Sequence, residues 1–165
     1  MPVASFAKHL PVSHVLLDLD VSSKKRLFEQ IGLLFENDNG IARATVFEAL
    51  FAREKLGSTG LGQGVAIPHG RIKNLRETLA VFIRTKDDVP FEAPDGKPVR
   101  LVFAMLVPEH ATEQHLNLLS ELAQTFSDAD LRDALLAEQN NTTAHEMLTT
   151  GNAHLNVPAQ RTAAI

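Results

Sequence analysis

The segment Gly64-Val65-Ala66-Ile67-Pro68-His69-Gly70 joins a short apolar run to a proline and then to a histidine. Val65, Ala66 and Ile67 have the small-to-branched character of a buried strand, and glycines bound the segment on both sides. Pro68 has no N–H to give a sheet ladder, so pairing is expected to stop there. Gly70 permits a sharp turn and leaves no side chain beside the imidazole. His69 is therefore expected at a strand end, rigid behind and open in front. Its reference pKa of about 6.5 leaves most of the ring neutral and nucleophilic near pH 7. The competing reading of the same residue is a structural histidine in a turn.

Two further groups bear on this histidine. Upstream, Arg53-Glu54-Lys55-Leu56-Gly57-Ser58-Thr59-Gly60-Leu61-Gly62-Gln63-Gly64 brings four glycines and two hydroxyls into the strand. Such a loop can wrap a phosphate with backbone N–H groups, and Arg53 stands one helical turn before it, within reach of an anion. The loop lacks both the Gly-Lys-Ser/Thr ending of a P-loop and the third glycine of the dinucleotide fingerprint, which argues against a nucleotide site. Downstream, Glu109-His110-Ala111-Thr112-Glu113-Gln114-His115-Leu116 opens a helix. His115 falls in its first turn, where partial positive charge favours a neutral imidazole and a nearby anion. A core histidine is the alternative. His110, Glu113 and His115 have no recognised metal-ligand spacing, so no metal is expected.

The elements that must position these residues follow from apolar spacing. Residues 14–20 read as a strand; Ser22 or Ser23 caps a helix carrying Leu27, Ile31, Leu34 and Phe35, which Asn37-Asp38-Asn39-Gly40 ends. A second helix is expected over 43–55, with Val46, Phe47, Leu50 and Phe51 buried and Gly57-Ser58-Thr59-Gly60 ending it. Leu79–Ile83 and Val99–Val107 are strands separated by a loop from Asp87 to Pro98. Thr112 caps the helix that carries His115, Ser127 or Asp128 caps another, and residues 143–149 form a last short one. The pattern predicts an α/β fold: a single three-layer domain with a mixed parallel and antiparallel sheet of about five strands flanked by about six helices.

The 165 residues, 44% hydrophobic, suffice for one well-cored domain. A net charge of -4 argues against nucleic acid or a membrane surface as the main partner. Cysteine is absent, which removes disulfides, thiolate metal sites and a cysteine nucleophile. No leader or membrane-spanning run is read, so no membrane insertion and a cytoplasmic location are expected.

Glu54, six intervening residues and then Leu61-Gly62-Gln63-Gly64-Val65-Ala66-Ile67-Pro68-His69-Gly70 resemble the active-site signature of enzyme IIA domains of the bacterial phosphoenolpyruvate:sugar phosphotransferase system, mannitol/fructose class. Arg53 through Gly60 is similar to the nitrogen-regulatory branch, IIA-Ntr; sugar-specific members tend to carry another, often aromatic, residue where Gly60 stands. From Gly151 onward little apolar pattern remains, so residues 151–165 are expected to form a flexible tail. The resemblance implies a IIA domain over 1–150. It implies that His69 is the phosphoryl acceptor and that His115 and Arg53 stabilise the phosphoryl group. Gly57, Ser58, Thr59, Gly60, Gly62, Gly64 and Gly70 would form the phosphate- and partner-docking loop, and Arg71 follows where basic residues are common. No cofactor is implied. The implied donor is an HPr-like phosphocarrier (NPr), and the implied targets are regulated proteins such as potassium-transport or sensor components. Two other readings stay open: a sugar-specific IIA that passes phosphate to a IIB subunit, and a binding module that does not depend on phosphotransfer.

Overall fold

A computed structural model describes residues 3–155. Two 3-10 turns, Ser5–His9 and Val12–His14, lead into strand β1 (Val15–Leu19). Helices α1 (Lys24–Asn39) and α2 (Arg43–Glu54) follow, then the short strands β2 (Gly60–Gly62), β3 (Val65–Ala66) and β4 (His69–Ile72), and the long strands β5 (Leu79–Val89) and β6 (Val99–Pro108). Helices α3 (Thr112–Phe126), α4 (Ala129–Ala137) and α5 (Asn141–Thr150) complete the order.

Helix ends obey local chemistry. The Ser23 hydroxyl accepts from the Arg26 N–H at 3.1 Å to start α1, and Gly40 closes it in the left-handed conformation that a non-glycine residue adopts at a cost. Asp128 caps α4 in the same way. Helix α5 begins earlier than the spacing predicts, because Asn140 accepts from the Thr143 N–H and starts the turn at Asn141. The expected Thr112 cap is not used: Ala111 occupies the N-cap position of α3, with no side-chain bond.

The sheet runs β1-β5-β6-β3-β2, with β4 also pairing β6. β5 and β6 are antiparallel, whereas β1 on β5 and β3 and β4 on β6 are parallel. β5 is longer than its apolar run implied. Asp87 and Asp88, expected in the loop, are exposed residues of the strand, which ends at Val89 opposite Val99. Alternation sorts the central strands into two cores. Phe82, Phe103 and Met105 face α3, α4 and α5 through Leu122, Phe126, Leu131 and Leu148. Val81, Ile83 and Val102 face α1 and α2 through Phe28, Ile31, Val46 and Leu50. This is the predicted three-layer arrangement, with six strands and five α-helices among the described residues. Beyond α5, Ala153 and Leu155 pack against the first core; the rest of the expected flexible tail, residues 156–165, lies outside the described residues.

Candidate functional site

The expected end of pairing at Pro68 is only an interruption. β3 pairs β6 at Leu101 and Val102, Ile67 and Pro68 step out of the ladder, and β4 resumes on the same strand with His69 opposite Met105. The Pro68 carbonyl still accepts the Met105 N–H at 3.0 Å. His69 thus opens a second strand segment, is only 7% exposed, and lies on the face covered by α3, the side to which its register partner Met105 projects.

β6 ends at Pro108 and α3 begins four residues later, which sets His115 in the first helical turn beside His69. The two ring centroids are 4.5 Å apart, with an interplanar angle of 53°. His69 Nδ1 lies 2.9 Å from the Ile67 carbonyl oxygen, which can only accept, so Nδ1 carries the proton and Nε2 keeps its lone pair. Burial lowers the His69 pKa, helped by the charges of Arg53 and Arg71 and opposed by the Ile67 hydrogen bond and by Glu54. His115 is pushed down to about 4, first by burial and then by His69, Arg71 and Arg53. Its Nδ1 is sealed from solvent and has no hydrogen-bond partner among the described residues. An unsatisfied buried polar atom is costly, and it persists most readily where a ligand group completes it.

Arg53, in the last turn of α2, donates from Nη1 to the Gly57 carbonyl at 2.7 Å. Arg71, on β4, donates from Nη1 to the Glu109 carbonyl at 2.7 Å, tying β4 to the turn before α3. The two guanidinium groups and two histidines form one electropositive cluster. It can bind an anion and hold a neutral imidazole ready to attack an electrophile.

The glycine loop is assembled differently from an open phosphate cradle. Gly57 N–H donates to the Glu54 carbonyl, Thr59 N–H to Glu54 Oε2 at 3.0 Å and Gly60 N–H to the Ser58 hydroxyl at 3.0 Å, so these three donors are already committed within the chain. Gly60 packs on Ala93, where a Cβ would come within 2.8 Å of the alanine side chain. Gly62, Gln63 and Gly64 make the β2–β3 turn with positive φ, held by the Asp95 carboxylate at 2.8 Å from the Gln63 N–H. That turn lies beside Leu101, four residues along β6 from Met105 and so roughly 13 Å from His69. Gly70 faces the other layer, where a Cβ would sit 2.8 Å from the Ala49 carbonyl carbon of α2. Of the predicted loop, Gly57 bonds Arg53 and the Ser58 hydroxyl donates to the Phe91 carbonyl, while Gly60, Gly62, Gly64 and Gly70 serve the fold.

A chain of contacts that spacing did not reveal holds His69. Lys24 Nζ donates to Glu54 Oε2 at 2.9 Å, and the same carboxylate takes the Thr59 hydroxyl at 2.6 Å. The Thr59 carbonyl accepts the Ile67 N–H at 3.0 Å, and the Ile67 carbonyl holds His69. Lys24 also lies 4.6 Å above the Phe91 ring. Its partner Glu54 is thirty residues away, so only the fold joins them.

The family model described as "Phosphoenolpyruvate-dependent sugar phosphotransferase system, EIIA 2" matches residues 8–150. The chain belongs to this family. It is therefore a phosphotransfer component of that system. A nitrogen regulatory protein of Pseudomonas aeruginosa is 46% identical over 121 residues, 73% of this chain and 79% of the relative. The crystal structure of nitrogen regulatory protein IIA-Ntr from Neisseria meningitidis superposes with a TM-score of 0.83 at 53% identity, covering 87% of this chain and 99% of that one. A fructose-specific EIIA component from Haloferax volcanii is 34% identical over 106 residues, 64% of this chain and 69% of the relative. The similarity thus reaches the nitrogen-regulatory branch that residues 53–60 indicated. No helix among the described residues is long and apolar enough to cross a membrane.

Proposed function

We propose that this IIA chain is a cytoplasmic phosphohistidine carrier that takes a phosphoryl group on His69 Nε2 from an HPr-like donor such as NPr and regulates partner proteins by its phosphorylation state. The observation that carries the reading is the Ile67 carbonyl on His69 Nδ1, which leaves Nε2 as the nucleophile inside a cluster of His115, Arg53 and Arg71.

In the transfer, the Nε2 lone pair attacks the phosphorus of the donor's phosphohistidine. The new N–P bond forms as the old one breaks, and the leaving electron pair returns to the donor's ring. The Nδ1 proton stays against Ile67. Charge spread over the equatorial oxygens in a loose transition state is met by Arg53 and His115. Leu56 and Leu116 are 83% and 65% exposed, next to the segments bearing Arg53 and His115, and give a protein partner apolar contact around the site. The phosphorylated ring carries about 1.5 to 2 negative charges by analogy with other phospho-residues, enough to change which partners dock. Potassium-transport or sensor components are the class of regulated partner this reading names.

Acid-labile, alkali-stable labelling with phosphoenolpyruvate and the upstream relay proteins tests the assignment. Labelling should reach one group per chain and vanish in His69→Ala; stoichiometric labelling of that variant would remove His69 from the role.

A further inference from the structure

We infer, on the reading that His69 carries the phosphoryl group, that Arg71 is a positioning residue for the transfer: by clamping the turn that launches α3, it holds His115 against His69.

Arg71 stands two residues after His69 on β4, so strand alternation sets both on the face that α3 covers, while Gly70 between them faces α2. Its Nη1 donates to the Glu109 carbonyl at 2.7 Å, in the turn between β6 and α3. Among the described residues this is the one side-chain hydrogen bond from the sheet to that turn. The Arg71 charge depresses the pKa of both His69 and His115, which sets the guanidinium near both rings.

Little else fixes the leading turn of α3. Ala111 at the N-cap makes no side-chain bond, so the first helical N–H groups lack their usual local lock. The Ala111 N–H reaches back to the Pro108 carbonyl at 3.2 Å, a bond within the turn itself. The apolar anchors of the helix, Leu118, Leu122 and Phe126, all follow His115 in the chain. The buried Nδ1 of His115 has no partner among the described residues, so no hydrogen bond there orients the ring. Its place against His69, with centroids 4.5 Å apart, therefore depends on where the backbone of the first turn lies. Arg71 ties that backbone to the strand bearing His69. The acceptor is a main-chain carbonyl and the donor a guanidinium that stays charged, so the clamp holds whatever the protonation state of the Glu109 carboxyl.

Amide hydrogen exchange and ring-to-ring NOEs of the unphosphorylated full chain, followed by single-turnover transfer from the phosphorylated donor, test this in Arg71→Gln and Arg71→Lys. Arg71 is exposed, so both variants should keep the fold, seen as unchanged amide shifts in α1, α2 and α5. In Arg71→Gln the Ala111 and His115 amides should exchange about tenfold faster or more, and the NOE between the two histidine rings should weaken. The transfer rate at saturating donor should fall roughly tenfold, with the half-saturating donor concentration within about twofold of the parent, because misplacing a transfer group by about 1 Å costs up to about 10²-fold. The deficit should persist at about 1 M salt, where charges are screened within about 3 Å. Arg71→Lys should restore protection and rate to the same degree. Parent-like exchange and ring contact in Arg71→Gln would overturn the proposal. So would a parent-like rate, a deficit that salt abolishes, or a lysine that restores the rate alone, since Arg71 would then act through its charge. Exchange and NOEs are read before any phosphoryl group is added, so failure of the clamp appears there, whereas failure of the His69 reading appears as absent labelling of the parent.

Discussion

His69 and His115 divide the chemistry through their surroundings. His69 has one nitrogen committed to Ile67, and His115 has one buried nitrogen without a partner among the described residues. The low pKa of His115 means that the folded chain holds this ring neutral down to about pH 4 while the unfolded chain protonates it near 6.5. Between those values the unfolded state binds more protons, so the folded state loses stability as the pH falls through that window. Urea denaturation at pH 7 and pH 5 should show a smaller loss for His115→Gln than for the parent chain; an equal loss would refute the neutral assignment. Phosphorylation of His69 sets a dianion beside His115 and should raise its pKa, visible as an upfield-to-downfield change in its ring titration by NMR. For His115→Ala we expect partner binding to persist and the transfer rate to drop roughly 10²-fold, the scale of one lost transition-state donor. That the two histidines and Arg53 come together was legible in the sequence because motif residues and helix-start positions announce themselves locally. The tautomer of His69 was not, since it depends on where the Ile67 carbonyl points.

At the level of elements, α1 reaches His69 through Lys24, Glu54, Thr59 and Ile67. Lys24 and Glu54 are well buried, at 14% and 4% side-chain exposure, so Lys24→Met should leave an uncompensated carboxylate and destabilise the fold by about 3 kcal/mol. It should also slow phosphoryl transfer, through the loosened Thr59 loop, with little change in donor affinity; a parent-like rate in the folded variant would show that the chain of contacts does not position His69. Gly70→Ala should cost about 1–3 kcal/mol by pushing α2 off β4, since the new Cβ meets the Ala49 backbone. Chemical denaturation measures this, and a neutral result would mean that α2 can yield. Helices and their Ser23, Gly40 and Asp128 signals could be read because capping is local. The split of β3 from β4 could not, because Pro68 reveals a missing donor but not that β6 continues past it and collects His69. The glycines misled for a related reason: Gly60 and Gly70 are demanded by Ala93 and Ala49, neighbours made by the fold.

Across the whole molecule, the layers are joined by a charged group that no apolar pattern discloses. Arg84 of β5 is 1% exposed, pairs with Asp18 of β1 at 2.9 Å, and donates to the carbonyls of Leu135, Leu136 and Glu138 at the end of α4. Arg84→Ala should strand those carbonyls and cost about 3 kcal/mol, lowering Tm by roughly 10 °C in a calorimetric scan. The three-layer α/β plan itself was readable, since β6 is apolar on both faces and must be covered twice. That plan sets a strand-borne histidine against a helix-borne one across the seam between β4 and α3, with two arginines around them. The most direct test is the phosphorylation state of the chain after incubation with phosphoenolpyruvate and the donor relay, read by intact mass for the parent and His69→Ala. The account predicts one phosphoryl group on the parent, lost on acid treatment, and none on the variant. A parent chain that stays unmodified beside a relay proven active, or a variant modified to the same extent, would contradict it.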